Sequence, residues 1–294
     1  MATRLTPQAR SKLIEVGDAL DIDQQLAVGT GGEVFVNPLE ERADDAERKC
    51  KGPTGRQGQQ RWAGQGSGSR QETGQSEAAR FGSRSLSDHY LAGEAASVEL
   101  YDAKFHRTAA GIWVVAPSNP LGADGPTFNL AVFLPENPEI RPRSFGWAFS
   151  KLGPFPKFVG PRHTNFPHHD ICAQGADDDA WVPSDGVRPL LNLYSSWLFR
   201  HCYLLEVGRW PGRQWGASAL YRRTEFHPDE WCGCGESKRY RDCHLKSDTS
   251  LSDEDAAAEH VKIMGSEYGP RNPPKAVKAF ARSAWKKPPL HPLV

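Results

Sequence analysis

The sequence predicts an α+β fold in which an antiparallel four-stranded meander is flanked by helices and carries a small cysteine-rich knuckle. Three observations support this prediction. Short segments rich in β-branched and aromatic residues occupy the middle of the chain, with Gly- and Pro-containing turns between them. A longer apolar pattern with helical period follows these segments. Three of the six cysteines then lie close together in the last quarter of the sequence.

The predicted strands are short, and each ends at turn residues. A segment such as PSNPLGADGP marks the turn between the second and third strands, and consecutive strands joined in this way pair in antiparallel order. We expect the four strands at residues 97–106, 111–116, 127–134 and 155–159.

Helices are predicted both before and after the meander along the chain. A short amphipathic helix is expected over residues 7–20, and a longer one begins near Pro189, which suits a first turn because no N–H is needed there. The longer helix should pack on one face of the sheet. Its apolar positions recur every three or four residues, at Leu190, Leu193, Tyr194, Trp197, Leu198, His201, Leu204 and Leu205.

Charge and hydropathy exclude several classes of protein. The 36 Lys and Arg residues balance 36 Asp and Glu residues, which disfavours a globally basic nucleic-acid binder. No run of 18 apolar residues exists, so we expect no membrane span, and the first residues lack the apolar core of a secretion signal. We therefore expect a cytoplasmic protein.

Composition divides the chain into five predicted segments. Residues 40–85 contain no Val, Ile, Leu or Met, so this Gly-, Gln-, Ser- and Arg-rich stretch cannot bury enough apolar area to fold. The segments are an N-terminal helical part at 1–39, a disordered linker at 40–88, a folded domain at 89–225, a cysteine-rich motif at 226–250 and a Pro-rich basic tail with a short helix at 251–294. That helix is expected to pack on the domain surface, with a basic partner-binding helix as the alternative.

A long segment without regular periodicity lies between the meander and the longer helix, and such loops are often functional. Imidazoles near Cys172 would favour its thiolate, and the Asn165 amide would donate to an oxyanion, so acyl chemistry on Cys172 is one interpretation. Three alternatives remain open. Cys172 could be a small buried apolar residue, the histidines and Cys172 could bind zinc, and the aspartate run could be a solvated loop. The candidate residues are His163, Asn165, His168, His169, Cys172, Asp177, Asp178 and Asp179.

Several motifs in this region occur in the order typical of one enzyme family. The segment FNLAVFLPENPEIRPRSFGWAF resembles the strand and Pro-rich turn before the active site of ubiquitin-conjugating enzymes. His163-Thr164-Asn165 is similar to the family's His-Pro-Asn motif. Ile171-Cys172 is similar to its Ile-Cys-Leu active site and follows the asparagine at about the family's spacing.

The resemblance continues beyond Cys172. Trp181-Val182-Pro183 resembles the family's Trp-x-Pro, so the likeness spans about residues 95–206. Thr164 stands where the family has proline, Ala173 stands where it has leucine, and the tyrosine of its Tyr-Pro turn is absent. These departures resemble the divergent prokaryotic branch that is encoded beside bacterial activating enzymes and antiphage signalling genes.

The resemblance implies a transferase that acts in a bacterial conjugation or antiviral defence system. Cys172 would take the C-terminal acyl group of a ubiquitin-like or other modifier protein from an activating enzyme, and would pass it from a thioester to a target amine. Asn165 would hydrogen-bond the oxyanion and His163 would brace its loop. The accessory candidates, which would attract or deprotonate the amine or assist the thiol, are Asp177, Asp178, Asp179, His168 and His169.

The second constellation of candidate residues is the string WCGCGESKRYRDCH. Its C-x-C-x8-C-H spacing places three thiols and one imidazole, a complete soft tetrahedral set for a structural zinc ion with no position left for water. The string resembles the SEC-C zinc motif, and a knuckle without its own core would need the metal to fold. The ligands are Cys232, Cys234, Cys243 and His244.

Two other functions are kept beside the transferase. A catalytically silent relative would use its sheet and zinc knuckle as a binding or adaptor module. A thiol hydrolase would pair Cys172 with a distant base, for which His201 is the best candidate. The zinc ligands lie outside the predicted conjugating fold, so we expect a separate lobe and Cys172 chemistry that survives metal removal.

Overall fold

The computed structural model describes most of the chain outside the predicted linker. The described residues are 5–22, 26–36, 88, 90–91, 101–137, 140, 142–149, 156–172, 181–216 and 218–292. The helices are α1 (Pro7–Asp21), α2 (Val187–Val207), α3 (Ala219–Glu225), α4 (Leu245–Ser250), α5 (Asp253–Met264) and α6 (Lys275–Arg282). The strands are β1 (Leu26–Val28), β2 (Val34–Val36), β3 (Lys104–Thr108), β4 (Gly111–Ser118), β5 (Phe128–Pro135), β6 (Arg143–Phe149) and β7 (Pro156–Phe158).

The α+β prediction is confirmed, because the helices flank two antiparallel sheets. Strands β1 and β2 form a two-stranded sheet, and β3 to β7 form a five-stranded meander in chain order. The longest pairing joins β4 to β5, where Trp113 lies opposite Phe133 and Val115 lies opposite Ala131. Sequential pairing of this kind requires only short connections. Strands β4, β5 and β7 lie where the sequence predicts them, whereas β3 begins at Lys104 and shares only residues 104–106 with the strand predicted at 97–106.

The missing strand is β6, so the predicted four-stranded meander is wrong by one strand. Its residues belong to the segment FNLAVFLPENPEIRPRSFGWAF, which was interpreted as one strand followed by a Pro-rich turn. Phe145 and Trp147 nevertheless alternate with small residues, as expected of a strand. Gly146 has a packing reason: a Cβ there would lie 3.2 Å from Leu198 and 3.3 Å from Trp197, on the helix α2 that covers this strand.

The inner face of the five-stranded sheet packs against α1 and α2 and forms the main core. Both helices lie where the sequence predicts them, and the sheet contributes Ile112, Val114 and Ala116 of β4, each fully buried. Alternation along β4 then places Trp113 and Val115 on the opposite face. Both faces of this sheet therefore carry large apolar side chains that must be covered.

The outer face is covered by the C-terminal segment. Helix α6 packs Val277, Phe280 and Ala281 against the sheet, and these side chains are fully buried. Beyond α6 the chain continues along the same face, where the Trp113 indole N–H donates to the Pro289 carbonyl at 2.8 Å. The predicted short helix packed on the domain is thus present, and the sheet lies between two helical layers.

The remaining helices α3, α4 and α5 form a small helical cluster around the cysteine-rich knuckle. Arg222 of α3 holds α4 through a buried ion pair with Asp248, with nitrogen–oxygen distances of 2.8 Å. Within the described part of the chain, no helix combines the length and the apolarity that a membrane crossing requires. The predicted linker falls almost wholly outside the described residues.

Candidate metal centre and cysteine loop

Four side chains of the cysteine-rich knuckle converge on one point. The ligand atoms of Cys232, Cys234, Cys243 and His244 all lie within 4.8 Å of one another. His244 directs Nδ1 toward the sulfurs, at 3.2 Å from Cys232 Sγ and 3.1 Å from Cys243 Sγ. The four residues predicted from spacing are therefore close enough to bind a metal ion.

The distances fit a tetrahedral metal site with sulfur ligands. Two sulfurs bound to zinc at about 2.3 Å lie about 3.8 Å apart in a tetrahedron, and Cys234 Sγ is 3.6 Å from Cys243 Sγ. Burial, and after it the neighbouring thiols of Cys234 and Cys243, raise the pKa of the Cys232 thiol to about 12. A thiol in this position gives up its proton when a cation binds.

Backbone geometry explains how two short segments supply the four ligands. Trp231 pairs with Arg239 in an antiparallel bridge, and the Cys232 N–H donates to the Lys238 carbonyl at 3.0 Å, so the first two cysteines lie on a tight hairpin. Gly233 has φ +73° and its absent side chain leaves room for the backbone of Gly216, because a Cβ would lie 2.5 Å from that nitrogen.

Cys172 lies on a second hairpin, between β7 and α2. Thr164 pairs with Ile171, and the Cys172 N–H donates to the His163 carbonyl at 2.9 Å. The same carbonyl accepts the Trp197 indole N–H from α2 at 3.0 Å. The Cys172 backbone is thereby fixed to the helix behind it, and its side chain is half-buried.

Asn165 is placed near Cys172 but is held by a neighbour. Its Nδ2 donates to Asp170 Oδ2 at 2.8 Å, and Arg143 Nη1 donates to both oxygens of the same carboxylate at 2.9 and 3.0 Å. The Asp170 side chain is only 2% exposed. Asn165 was predicted as an oxyanion donor, and the structure engages one N–H of its amide with the hairpin itself. Sequence reasoning missed Asp170 and Arg143.

The histidines of this segment have different surroundings. His163 packs its ring on Trp210, with centroids 4.6 Å apart, and burial together with the Arg162 guanidinium holds the pKa of His163 well below its usual value. His169 is buried with its ring nitrogens 3.1 and 2.8 Å from the carbonyls of Arg271 and Val159. Both rings are enclosed by the fold. His168 is half-buried.

The predicted accessory aspartates, Asp177, Asp178 and Asp179, lie outside the described residues. The Cys172 hairpin and the metal cluster, by contrast, are fully described and lie on adjoining parts of the molecule. Arg271 joins them: its Nη1 donates to the carbonyls of Pro161 and Thr164 at 2.8 and 2.9 Å, and it pairs with Glu225. The sequence predicted a separate lobe, and these buried contacts tie the lobe to the Cys172 hairpin instead.

His201 does not supply the base that a thiol hydrolase would need. Its Nε2 donates to the Arg162 carbonyl at 2.7 Å, and its ring lies between Trp197 and Trp210 at centroid distances of 4.3 and 5.1 Å. Burial lowers the pKa of His201 to about 3, so the ring is neutral throughout the neutral range. This histidine belongs to the core.

The buried neutral His201 leads to a prediction for stability against pH. Between about pH 6.5 and pH 3 the unfolded chain binds a proton here that the folded chain does not, so acidification favours unfolding by up to about 1.4 kcal/mol per pH unit. The free energy of unfolding should therefore fall more steeply below about pH 6.5 in the native protein than in His201→Gln. Urea titrations at several pH values measure this slope.

The control is His227→Gln, the same change at a side chain that is 49% exposed. If His201→Gln and His227→Gln gave the same slope as the native protein, the neutral buried state of His201 would be wrong.

Comparison of the chain with protein-family models, with curated proteins and with solved structures finds no match. The resemblances to ubiquitin-conjugating enzymes and to the SEC-C motif therefore rest on the motifs quoted above. What the structure adds is the geometry of two sites: a Cys3His cluster that fits one metal ion, and a half-buried cysteine on a hairpin fixed from both sides.

Proposed function

We propose that the protein is a ubiquitin-conjugating-like transferase whose Cys172 carries a protein acyl group as a thioester, and that the Cys3His cluster holds a structural zinc ion. The observation that supports the first part is the placement of Cys172. It lies half-buried on a hairpin whose backbone is fixed by the His163 carbonyl and by Trp197, in the order of motifs that the family resemblance requires.

The reaction consists of two acyl transfers. The Cys172 thiolate attacks the thioester carbonyl on a loaded activating enzyme, the carbon–sulfur bond to that enzyme breaks, and its thiolate leaves. A target amine then attacks the Cys172 thioester, an amide forms, the amine loses its proton and the Cys172 thiolate is released. Arg271 is a cation within electrostatic range of Cys172, and a cation at such a position favours the charged form of a thiol.

The zinc proposal rests on the donor set. Three thiolates and one imidazole are soft ligands typical of structural zinc, and such a closed set leaves the metal no open position for substrate. When bound, the ion stabilises the knuckle and performs no chemistry.

The Cys172 assignment is tested by trapping the acyl group. Cys172→Ser should convert a thioester into an ester that survives reducing agent, and Cys172→Ala should abolish the adduct and all downstream amide formation. The assay combines the protein with a candidate activating enzyme, ATP and modifier, and resolves the products by mass with and without thiol. Cys202→Ala, at a buried cysteine of α2, is the matched control and should still form the adduct.

If Cys172→Ala still joined the modifier to its target at the native level, the assignment as a transferase would be wrong. A second function, a binding or adaptor module without catalysis, is favoured by one observation: the Asn165 amide is already bonded to Asp170 at 2.8 Å. In that case Cys172→Ala would bind the activating enzyme or modifier as tightly as the native protein, and neither would form a thiol-sensitive adduct.

A further inference from the structure

Glu230 is a buried carboxylate next to the metal cluster that the sequence did not single out. It lies two residues before the ligand Cys232, and its side chain is fully buried. Its two oxygens are all engaged: Oε1 accepts the Trp210 backbone N–H at 2.6 Å, and Oε2 accepts Gln214 Nε2 at 2.8 Å and pairs with Arg162.

From Glu230 the contacts lead directly to the hairpin of Cys172. Gln214 Oε1 accepts Arg162 Nη2 at 2.7 Å and lies 3.2 Å from His163 Nε2, so Arg162 orients Gln214 and Gln214 in turn contacts the histidine. Arg162 also precedes His163 in the chain. The His163 carbonyl in turn accepts the Cys172 N–H. Each step in this path is a hydrogen bond or ion pair between buried or half-buried groups.

The other end of the path is the metal hairpin. The Glu230 carbonyl accepts the Tyr240 N–H at 2.8 Å, and the next residue, Trp231, forms the bridge to Arg239 that closes the hairpin carrying Cys232. The position of the Glu230 carboxylate is therefore set by the hairpin that the metal would hold together.

We infer that Glu230 is a positioning residue for Cys172, which acts through Arg162, Gln214 and His163 and depends on the metal cluster. The effect of Glu230 on acyl transfer rests on the proposed function. Its effect on the conformation of the Cys172 hairpin does not. Glu230→Gln keeps the shape of the side chain and an acceptor for Trp210 but removes the charge that holds Arg162.

A double variant distinguishes an ion pair that only stabilises the fold from one that also positions Cys172. Removing one partner of a buried ion pair leaves an uncompensated charge, whereas replacing both partners is often neutral for stability. Arg162→Met combined with Glu230→Gln should therefore recover the stability that Glu230→Gln loses. If Glu230 acts by positioning, the double variant should remain defective at Cys172, because Arg162 no longer orients Gln214, the side chain that contacts His163.

The experiment measures the hairpin and the chemistry separately on the full chain loaded with zinc. Hydrogen exchange of the peptide over residues 163–172, followed by mass spectrometry, reports whether the Cys172 N–H stays bonded, with the β4 peptide as internal reference. In Glu230→Gln and in the double variant this peptide should exchange faster by about tenfold or more, the effect expected from the loss of one buried charge-assisted hydrogen bond, while β4 is unchanged.

Chelation of the native protein should produce the same acceleration at residues 163–172, and chelation of Glu230→Gln should add little to it, since both changes act on one path. In Glu230→Gln the maximal rate at which Cys172 is loaded should fall by about tenfold or more. The concentration of loaded activating enzyme that gives half this rate should not change. Glu254→Gln, the same charge change at an exposed position of α5, is the control.

Two results would overturn the inference. One is native exchange at residues 163–172 in Glu230→Gln with its zinc retained. The other is recovery of both native exchange and native stability in the double variant. The ion pair would then stabilise the fold without positioning Cys172. Absence of loading in the native protein would refute the proposed function instead, and the exchange data would still decide the role of Glu230.

Discussion

Removing the metal is expected to unfold the segment around residues 227–250 and to loosen the Cys172 hairpin with it. Metal binding to a closed site of this type contributes on the order of 10 kcal/mol to folding, and the knuckle has only a small apolar cluster of its own, centred on Tyr221, Phe226, Cys232 and Tyr240. Cys234→Ser or prolonged chelation should therefore lower the melting temperature and abolish the protection of this segment from hydrogen exchange.

The measurements are metal content by mass spectrometry, which should return one zinc per chain, and exchange before and after chelation. Ser237→Ala changes an exposed residue between the ligands and is the matched control. From the sequence alone we expected Cys172 to be independent of the metal. The buried Arg162–Glu230 and Arg271–Glu225 pairs connect the surroundings of the knuckle to the Cys172 hairpin, so we now expect the hairpin to respond to metal removal. If hydrogen exchange at residues 163–172 did not change after complete metal removal, the Cys172 hairpin would be independent of the metal site.

Phe280→Ala in α6 is expected to cost about 3–5 kcal/mol of stability, as large-to-small changes in a core do. The Phe280 ring is fully buried and lies 5.2 Å from the ring of Trp113 between centroids, so the change opens a cavity against the outer face of the sheet. Urea unfolding followed by tryptophan fluorescence measures the loss.

Lys275→Ala, at an exposed position on the same helix, should stay within about 0.5 kcal/mol of the native protein. Deleting residues 275–294 should go further and expose Trp113 and Trp147, so the truncated chain should bind hydrophobic dyes or associate. If Phe280→Ala were as stable as Lys275→Ala, α6 would not cover the sheet in solution.

Local patterns were sufficient for α1, α2, α6 and most of the meander and for the metal ligands, but not for β1, β2, α3, α4 and α5. Residues 7–20 and 187–205 show the helical period along their own length, and Cys232 and His244 belong to a spacing that itself encodes a tetrahedral site. Strand β6 was missed because it directly follows a Pro-rich turn and carries Gly146 at its centre, so its short alternation of Phe145 and Trp147 becomes favourable only beside the neighbouring strands and α2.

Long-range partners were beyond the reach of sequence patterns. Nothing near Asn165 indicates that its amide would bond Asp170, or that this carboxylate would be fixed by Arg143 from another strand. Likewise Arg162 and Glu230 are 68 positions apart, and each by itself is an ordinary charged residue. Such pairs are defined by which elements pack together, and a one-dimensional pattern carries no information on that.

The position of α6 has a consequence for synthesis of the chain. The sheet strands emerge from the ribosome long before Val277, Phe280 and Ala281, which bury the outer face that Trp113 and Trp147 occupy. At about 5–20 residues per second this face stays bare for roughly ten seconds, and during that time it is open to chaperones or to other nascent chains. Folding of this sheet is thus completed only after translation has passed the last helix.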